Sequence, residues 1–343
     1  MTTLTLLRIA AAAVAAFGAC LLTGPRVIAW LKSRKIREDI TKKDSRRLTE
    51  IHSTKKDTPT MGGLFLIGSA LAAAVAFSDL TAVPVLASLA AVAVLWGVGY
   101  ADDWIKLRHS KKHGMAGKPK LMFQGGVGLA LGIVLWQTGH STVLAVPFTG
   151  WSFDLGALYP AFAMLVMAAT SNAVNLTDGL DGLAGGCFLV SGLAYTAILA
   201  VVGDPALAAG VGLPHVPAAS GLAVLGAALS GATLGFMWFN CHPAQVFMGN
   251  TGSLPLGGAL AAMALVAKQE ILLVLIGGVF VVEALSVILQ VASFKATGRR
   301  IFKIAPIHHH FQFDGIPEQK ITTRFWIASI LAAVAGLAVL RIG

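Results

Sequence analysis

The chain has 343 residues, of which 56% are hydrophobic and 12% charged, and its mean hydropathy is +0.76. Soluble domains carry roughly a quarter charged residues, so this composition excludes a soluble protein and indicates an integral membrane one. The formal charge of +10 raises nucleic acid as a partner, but the placement of the charges argues against it.

A helical crossing of a bilayer needs about 20 mostly apolar residues. That window predicts ten spans, near 4–31, 60–78, 81–101, 119–138, 156–174, 182–202, 217–239, 251–267, 271–293 and 321–341. The predicted class is an all-α polytopic membrane protein, organised as a single integral membrane domain over 1–343. The first apolar run follows one basic residue, Arg8, and reads as a retained span rather than a cleaved leader. Gly24-Pro25 predicts a kink or an end within it. The segment 142–154 has β-type residues broken by Thr149-Gly150, which predicts a short hairpin. Cys20, Cys187 and Cys241 lie far apart, with neither a disulfide framework nor a metal-ligand spacing.

Positive charge falls on alternate loops. Lys32, Arg34, Lys35, Arg37, Lys42, Lys43, Arg46, Arg47, Lys55 and Lys56 lie between the first two spans. Lys106, Arg108, Lys111, Lys112, Lys118 and Lys120 follow the third, and Lys295, Arg299, Arg300, Lys303, Lys320 and Arg324 flank the last long loop. The loops near 139–155 and 203–216 contain no Lys or Arg. Basic loops stay in the cytoplasm, so both termini are expected outside and the polar motifs inside.

Those motifs carry the chemistry. Asp102 and Asp103, at the end of the third span, are adjacent carboxylates that repel unless a cation or base shares their site. Hard oxygen ligands of this kind suit Mg²⁺ bridging to phosphates, although a solvated loop start would also place acids there. In 171–183, Asn172 and Asn175 share a helical face, as do Asp178 and Asp181. Helix capping accounts for one acid but not for four polar groups, so a ligand site is favoured. The stretch 238–253 contains Asn240, Phe247, Gly249, Asn250, Gly252 and Ser253 ahead of a span, a helix N-terminus that attracts anions. Phe247 is placed to stack on a base, or is a plain packing aromatic. His308, His309 and His310 sit in a basic loop; three consecutive imidazoles cannot all ligate one metal, but they can contact a pyrophosphate or sugar. Lys55 precedes Thr58-Pro-Thr-Met-Gly-Gly63, a phosphate-compatible string or a helix cap. Glu283 and Gln290, seven residues apart in the ninth span, are either glue between helices or substrate contacts; a carboxylate at that depth needs a partner.

Taken together, the strings 58–63, Asp102-Asp103, 172–184, Pro243-Ala-Gln-Val-Phe-Met-Gly249 and Ala305-Pro-Ile-His-His-His310 resemble the phospho-N-acetylmuramoyl-pentapeptide transferase family of bacterial cell-wall synthesis. The resemblance implies ten transmembrane helices, a cytoplasmic active site in the bacterial inner membrane, Mg²⁺ and a homodimer among membrane lipids. The implied reaction joins UDP-N-acetylmuramoyl-pentapeptide to undecaprenyl phosphate, giving lipid I and UMP. By motif match it implies Asp102 and Asp103 as the catalytic pair with Asn250, and Asn250, Asp102 and Asp178 around the metal. Asn172, Asn175, Asp178, Asp181 and Asn240 would line the nucleotide-sugar site. The Gly179-Leu180-Asp181 turn and Phe247 would hold the uracil, and Lys118, Lys120, Gln290, His308, His309 and His310 would meet phosphates or sugar. One departure stands out: Asn250 occupies a position where the family usually has Asp, which leaves no carboxylate there for a covalent intermediate. Two rival readings are a UDP-N-acetylglucosamine enzyme of the same superfamily and a transporter. Alternating access needs a site near the midplane, which the one-sided motifs do not offer.

Overall fold

The computed structural model describes residues 2–37, 55, 57–108 and 114–340. Lys42, Lys43, Arg46, Arg47, Lys56, Lys111 and Lys112, counted above in the basic loops, lie outside the described residues.

Among the described residues, nine long helices fall on nine of the ten predicted spans and a shorter apolar one, Gly63–Phe77, falls on the remaining one. They are α1 (Thr3–Ser33), α2 (Gly63–Phe77), α3 (Val83–Arg108), α4 (Gly117–Gln137), α5 (Tyr159–Thr177), α6 (Leu183–Val202), α8 (Ala219–Asn240), α9 (Asn250–Ala267), α11 (Gly278–Thr297) and α13 (Glu318–Val339). Short helices α7 (Pro205–Gly210), α10 (Leu273–Ile276) and α12 (Ile307–Phe313) lie between them. Nine of the described helices are long and apolar enough to cross a membrane; α2, at 15 residues, is shorter. The predicted hairpin is present as β1 (Val143–Ala145) paired antiparallel with β2 (Ser152–Asp154).

Two details sharpen the sequence reading. Of the two alternatives at Gly24-Pro25, the helix does not end there: α1 runs through Pro25. The span predicted over 271–293 is split at Gly277, which ends α10 and precedes the true span α11.

Close packing of small residues explains the bundle. In lipid, helices associate through van der Waals contact at small side chains rather than through a hydrophobic gain. On α1 the buried Ala12, Ala16, Cys20 and Gly24 recur every fourth residue and form one stripe against α8. At the centre stands α9, whose apolar window is entirely enclosed. It packs on α2, α3, α5 and α6. The approach is very close at Gly63 and Gly99, where an added Cβ would lie 2.1 Å from the backbone nitrogen of Gly252 and from the carbonyl oxygen of Asn250.

Candidate active site

Helix α3 continues beyond its apolar part, so Asp102 and Asp103 are carried inward and become buried, 2% and 4% exposed. The two carboxylates face different neighbours. Asp102 Oδ1 accepts the Met115 backbone N–H at 2.6 Å, and its Oδ2 accepts the Asn250 amide. Lys106, one turn further along α3, lies 3.1 Å from Asp102 and 3.3 Å from Asp103, and Lys120 of α4 comes within 3.9 Å of Asp102. Two lysines thus offset two buried carboxylates, as burial of charge demands. Asp103 Oδ2 accepts both the backbone N–H (2.8 Å) and the hydroxyl (2.7 Å) of Thr251. It therefore caps the first turn of α9 from a neighbouring helix, a carboxylate at the positive end of a helix dipole.

Asn175 of α5 closes the ring. Its amide donates to Asn250 Oδ1 at 2.7 Å and to Ser253 at 2.8 Å, and its own oxygen accepts from Lys120 at 3.4 Å. Four helices thus deliver Asp102, Lys106, Lys120, Asn175 and Asn250 to one spot, with Lys118 exposed on the turn beside it. Asn172 turns elsewhere: its amide donates to Gln124 at 2.7 Å, which in turn donates to Ser171. Asp178, half-buried, forms the C-cap of α5 one turn beyond Asn175.

Beyond α5 the chain reverses through Gly179, Leu180, Asp181 and Gly182, the last at φ 73°. Asn240 holds this turn, accepting the Gly182 N–H at 3.0 Å and donating to the Val246 carbonyl at 2.9 Å. Asp181 is buried and heavily bonded, to Lys55 at 2.7 Å, to His242 at 3.0 Å and to the Ala244 N–H at 3.1 Å. Lys55 also reaches Glu318 at 2.5 Å and lies 5.9 Å from the Phe247 ring centroid. Backbone bonds from Phe247 to Pro59, and from Gly62 and Gly63 to Phe247 and Met248, join the 58–63 string to the approach of α9. Two strings far apart in the chain therefore form one wall.

The histidines divide. His308 is fully buried with Nδ1 3.0 Å from Glu283. His309 pairs with Gln312 at 2.8 Å, and His310 accepts the Lys303 N–H at 3.1 Å. Gln290 spends its amide on the backbone of Ile301 and Phe302, so it pins the loop leading to the histidines.

The Asp102 site suits a hard cation. Mg²⁺ favours oxygen ligands, and Asp102 Oδ2 abuts the Asn250 amide. The Asn250 oxygen accepts from Asn175, so offering it to a cation beside Asp102 would require the amide to turn over and give up that bond. A second group, Asp181, His242 and Glu318, has ligand atoms within 4.8 Å of one another; the Lys55 ammonium supplies positive charge there, as Lys106 and Lys120 do at Asp102.

Sequence reasoning did not single out Lys106, Gln124, His242 or Glu318 as site residues. Lys106 had a readable signal, standing three and four residues from the two acids. Glu318 had none, because its partners lie 137 and 263 residues away.

An all-helical membrane bundle with buried acids, amides and lysines gathered at one end defines a membrane-embedded transferase class: residues 85–268 match the model of glycosyl transferase family 4. Among similar curated proteins are one from Nitratidesulfovibrio vulgaris (46% identical, covering 94% of this chain and 89% of the relative) and one from Maridesulfovibrio salexigens (43%, covering 94% and 89%). A third comes from Fusobacterium nucleatum (41%, covering 96% and 91%). All three are named phospho-N-acetylmuramoyl-pentapeptide-transferase, and the chain belongs to that family of enzymes.

Proposed function

We propose that the protein transfers phospho-N-acetylmuramoyl-pentapeptide from its UDP-sugar to undecaprenyl phosphate, forming lipid I and releasing UMP in the presence of Mg²⁺. The reaction takes place at the cytoplasmic face of the bacterial inner membrane, in a homodimer whose chains each act as one integral membrane domain. The observation that carries this reading is the convergence of Asp102, Lys106, Lys120, Asn175 and Asn250 from α3, α4, α5 and α9. Phosphoryl transfer depends chiefly on positioning and charge neutralisation, and this set supplies both.

Each residue then has a role. Lys106, Lys118 and Lys120 attract the diphosphate, while Asn175 and Ser253 orient it. The Gly179–Asp181 turn and Phe247 receive the uracil, and Lys55, held by Asp181 and Glu318, stands beside Phe247. Asp102 accepts the last proton of the lipid phosphate, whose oxyanion attacks the β-phosphate of the UDP-sugar. Asp102, Asn250 and Asp178 are the residues that would hold Mg²⁺, which when bound offsets charge on the diphosphate. With an amide at position 250, no acyl-phosphate forms on that residue, and attack comes directly from the lipid phosphate.

The test is UMP release and radiolabelled lipid formation by purified protein in detergent, with UDP-N-acetylmuramoyl-pentapeptide and UDP-N-acetylglucosamine in competition. Asp102→Asn is expected to lower kcat by about 10² or more, the scale of general-base catalysis. Undiminished turnover in that variant refutes the role of Asp102, and preference for UDP-N-acetylglucosamine refutes the substrate assignment.

A further inference from the structure

Glu283 is a carboxylate buried in a membrane-spanning helix, with no exposed surface, and it is absent from the machinery described so far. Its Oε2 meets Nδ1 of the equally buried His308 at 3.0 Å. Among the described residues, Glu283 Oε1 and His308 Nε2 have no hydrogen-bond partner. Buried polar atoms are nearly always satisfied, so two orphans in one pair call for a reason.

The far side of the imidazole provides it. A Cβ added to Gly179 would lie 2.2 Å from His308 Nε2, so the ring stands directly against the turn between α5 and α6. The ring has little freedom to move. Glu283 fixes one edge, His309 packs on it with centroids 4.1 Å apart, and Gln290 anchors the loop that leads into α12. A carboxylate on one imidazole nitrogen sets the direction and the proton of the other.

We propose that Glu283 is a positioning residue for nucleotide binding: through His308 it holds the Gly179–Asp181 turn in the shape that receives the nucleotide. This rests on the functional reading above, which places the uracil at that turn. The Glu283–His308 pair is a backstop behind the binding surface, with Nε2 kept pointing at the turn. Glycine at 179 is part of the device, since any side chain there would push the ring off its carboxylate.

The experiment compares wild type, Glu283→Gln and Gly179→Ala, purified in detergent, for steady-state kinetics in both substrates and for direct UMP binding by calorimetry. Glu283→Gln keeps the shape and removes the charge. It is expected to raise KM for the UDP-sugar and the Kd for UMP about tenfold, the scale of one charge-assisted hydrogen bond. The expected kcat and lipid KM stay within about twofold, a split that general loss of structure would not produce. Gly179→Ala should show the same split, and the double variant should be little worse than either single one, because both break the same contact. If Glu283→Gln does not fold, Glu283→Asp, which keeps the carboxylate one methylene short of the imidazole, carries the test by the same split. Unchanged UMP affinity in a folded variant, or equal loss for both substrates, overturns the proposal. A wild type that neither binds UMP nor releases it overturns the functional reading, and this inference with it.

Discussion

Asn250 sits between a carboxylate and an amide, donating to Asp102 and accepting from Asn175. Replacing it with Asp would set two buried carboxylates against each other, which a divalent ion would relieve. Asn250→Asp is therefore expected to lower the melting temperature in EDTA, by the equivalent of about 1–3 kcal/mol, and to recover it with Mg²⁺ or Mn²⁺. Calorimetric titration should show tighter Mn²⁺ binding than in wild type; equal affinity would argue against ligation by residue 250. At this scale much was readable beforehand. The adjacent acids, the Asn175 face and the amide at 250 were all visible as residue types in a carboxylate-poor chain. Their division of labour was not, because Asp103 caps α9 while Asp102 faces the lysines, and Asn172 bonds Gln124 instead of the ring. For Asp103 and Asn172 those choices are made by neighbours more than 40 residues away.

Helix α9 is secured at both ends. Asp103 holds the first turn, and at the other end Lys268, in a left-handed conformation (φ 58°), pairs with Glu270 at 2.7 Å. Tyr159 donates to Glu270 at 2.8 Å, and the Lys268 ammonium lies over its ring at 4.5 Å. Breaking a buried pair leaves an uncompensated charge, at a cost of about 3–5 kcal/mol. Glu270→Gln should lower thermal stability on that scale while leaving the KM values of the folded fraction unchanged; a stability equal to wild type would contradict the pairing. His140 reaches the same helix end through the Leu265 carbonyl at 3.0 Å. Burial first, and Lys268 second, push its pKa down from 6.5 to about 4. The unfolded chain takes up that proton below pH 6.5 and the folded one resists until about 4, so stability falls with acidification across this window and levels off beneath it. His140→Gln should flatten that part of the melting-temperature profile, and an unaltered slope would count against it. The sequence window located the elements but not these fastenings. It also placed the ninth span's start within 271–277, where the apolar run is continuous although Gly277 breaks the helix.

Across the whole molecule, the residues proposed to carry the reaction collect at one end and the hairpin at the other. Exposed Phe148, Trp151 and Phe153 on that hairpin suit the headgroup region, where aromatic side chains gather. Cys241 is exposed beside the site, whereas Cys20 and Cys187 are buried. A membrane-impermeant maleimide should therefore label Cys241 in inside-out vesicles and leave right-side-out vesicles unlabelled; the opposite pattern would invert the assigned orientation. Ten spans could be counted from hydropathy because lipid-facing and buried helices are alike apolar. That same likeness hid which helix stands in the middle.

The enclosed helix α9 has a consequence for membranes of different thickness. Mismatch with the bilayer is absorbed by tilting lipid-facing spans, and α9 has no lipid-facing side. Thicker or thinner bilayers should thus alter how the proposed lipid-linked substrate arrives along the periphery, while the floor of the proposed diphosphate site keeps its geometry.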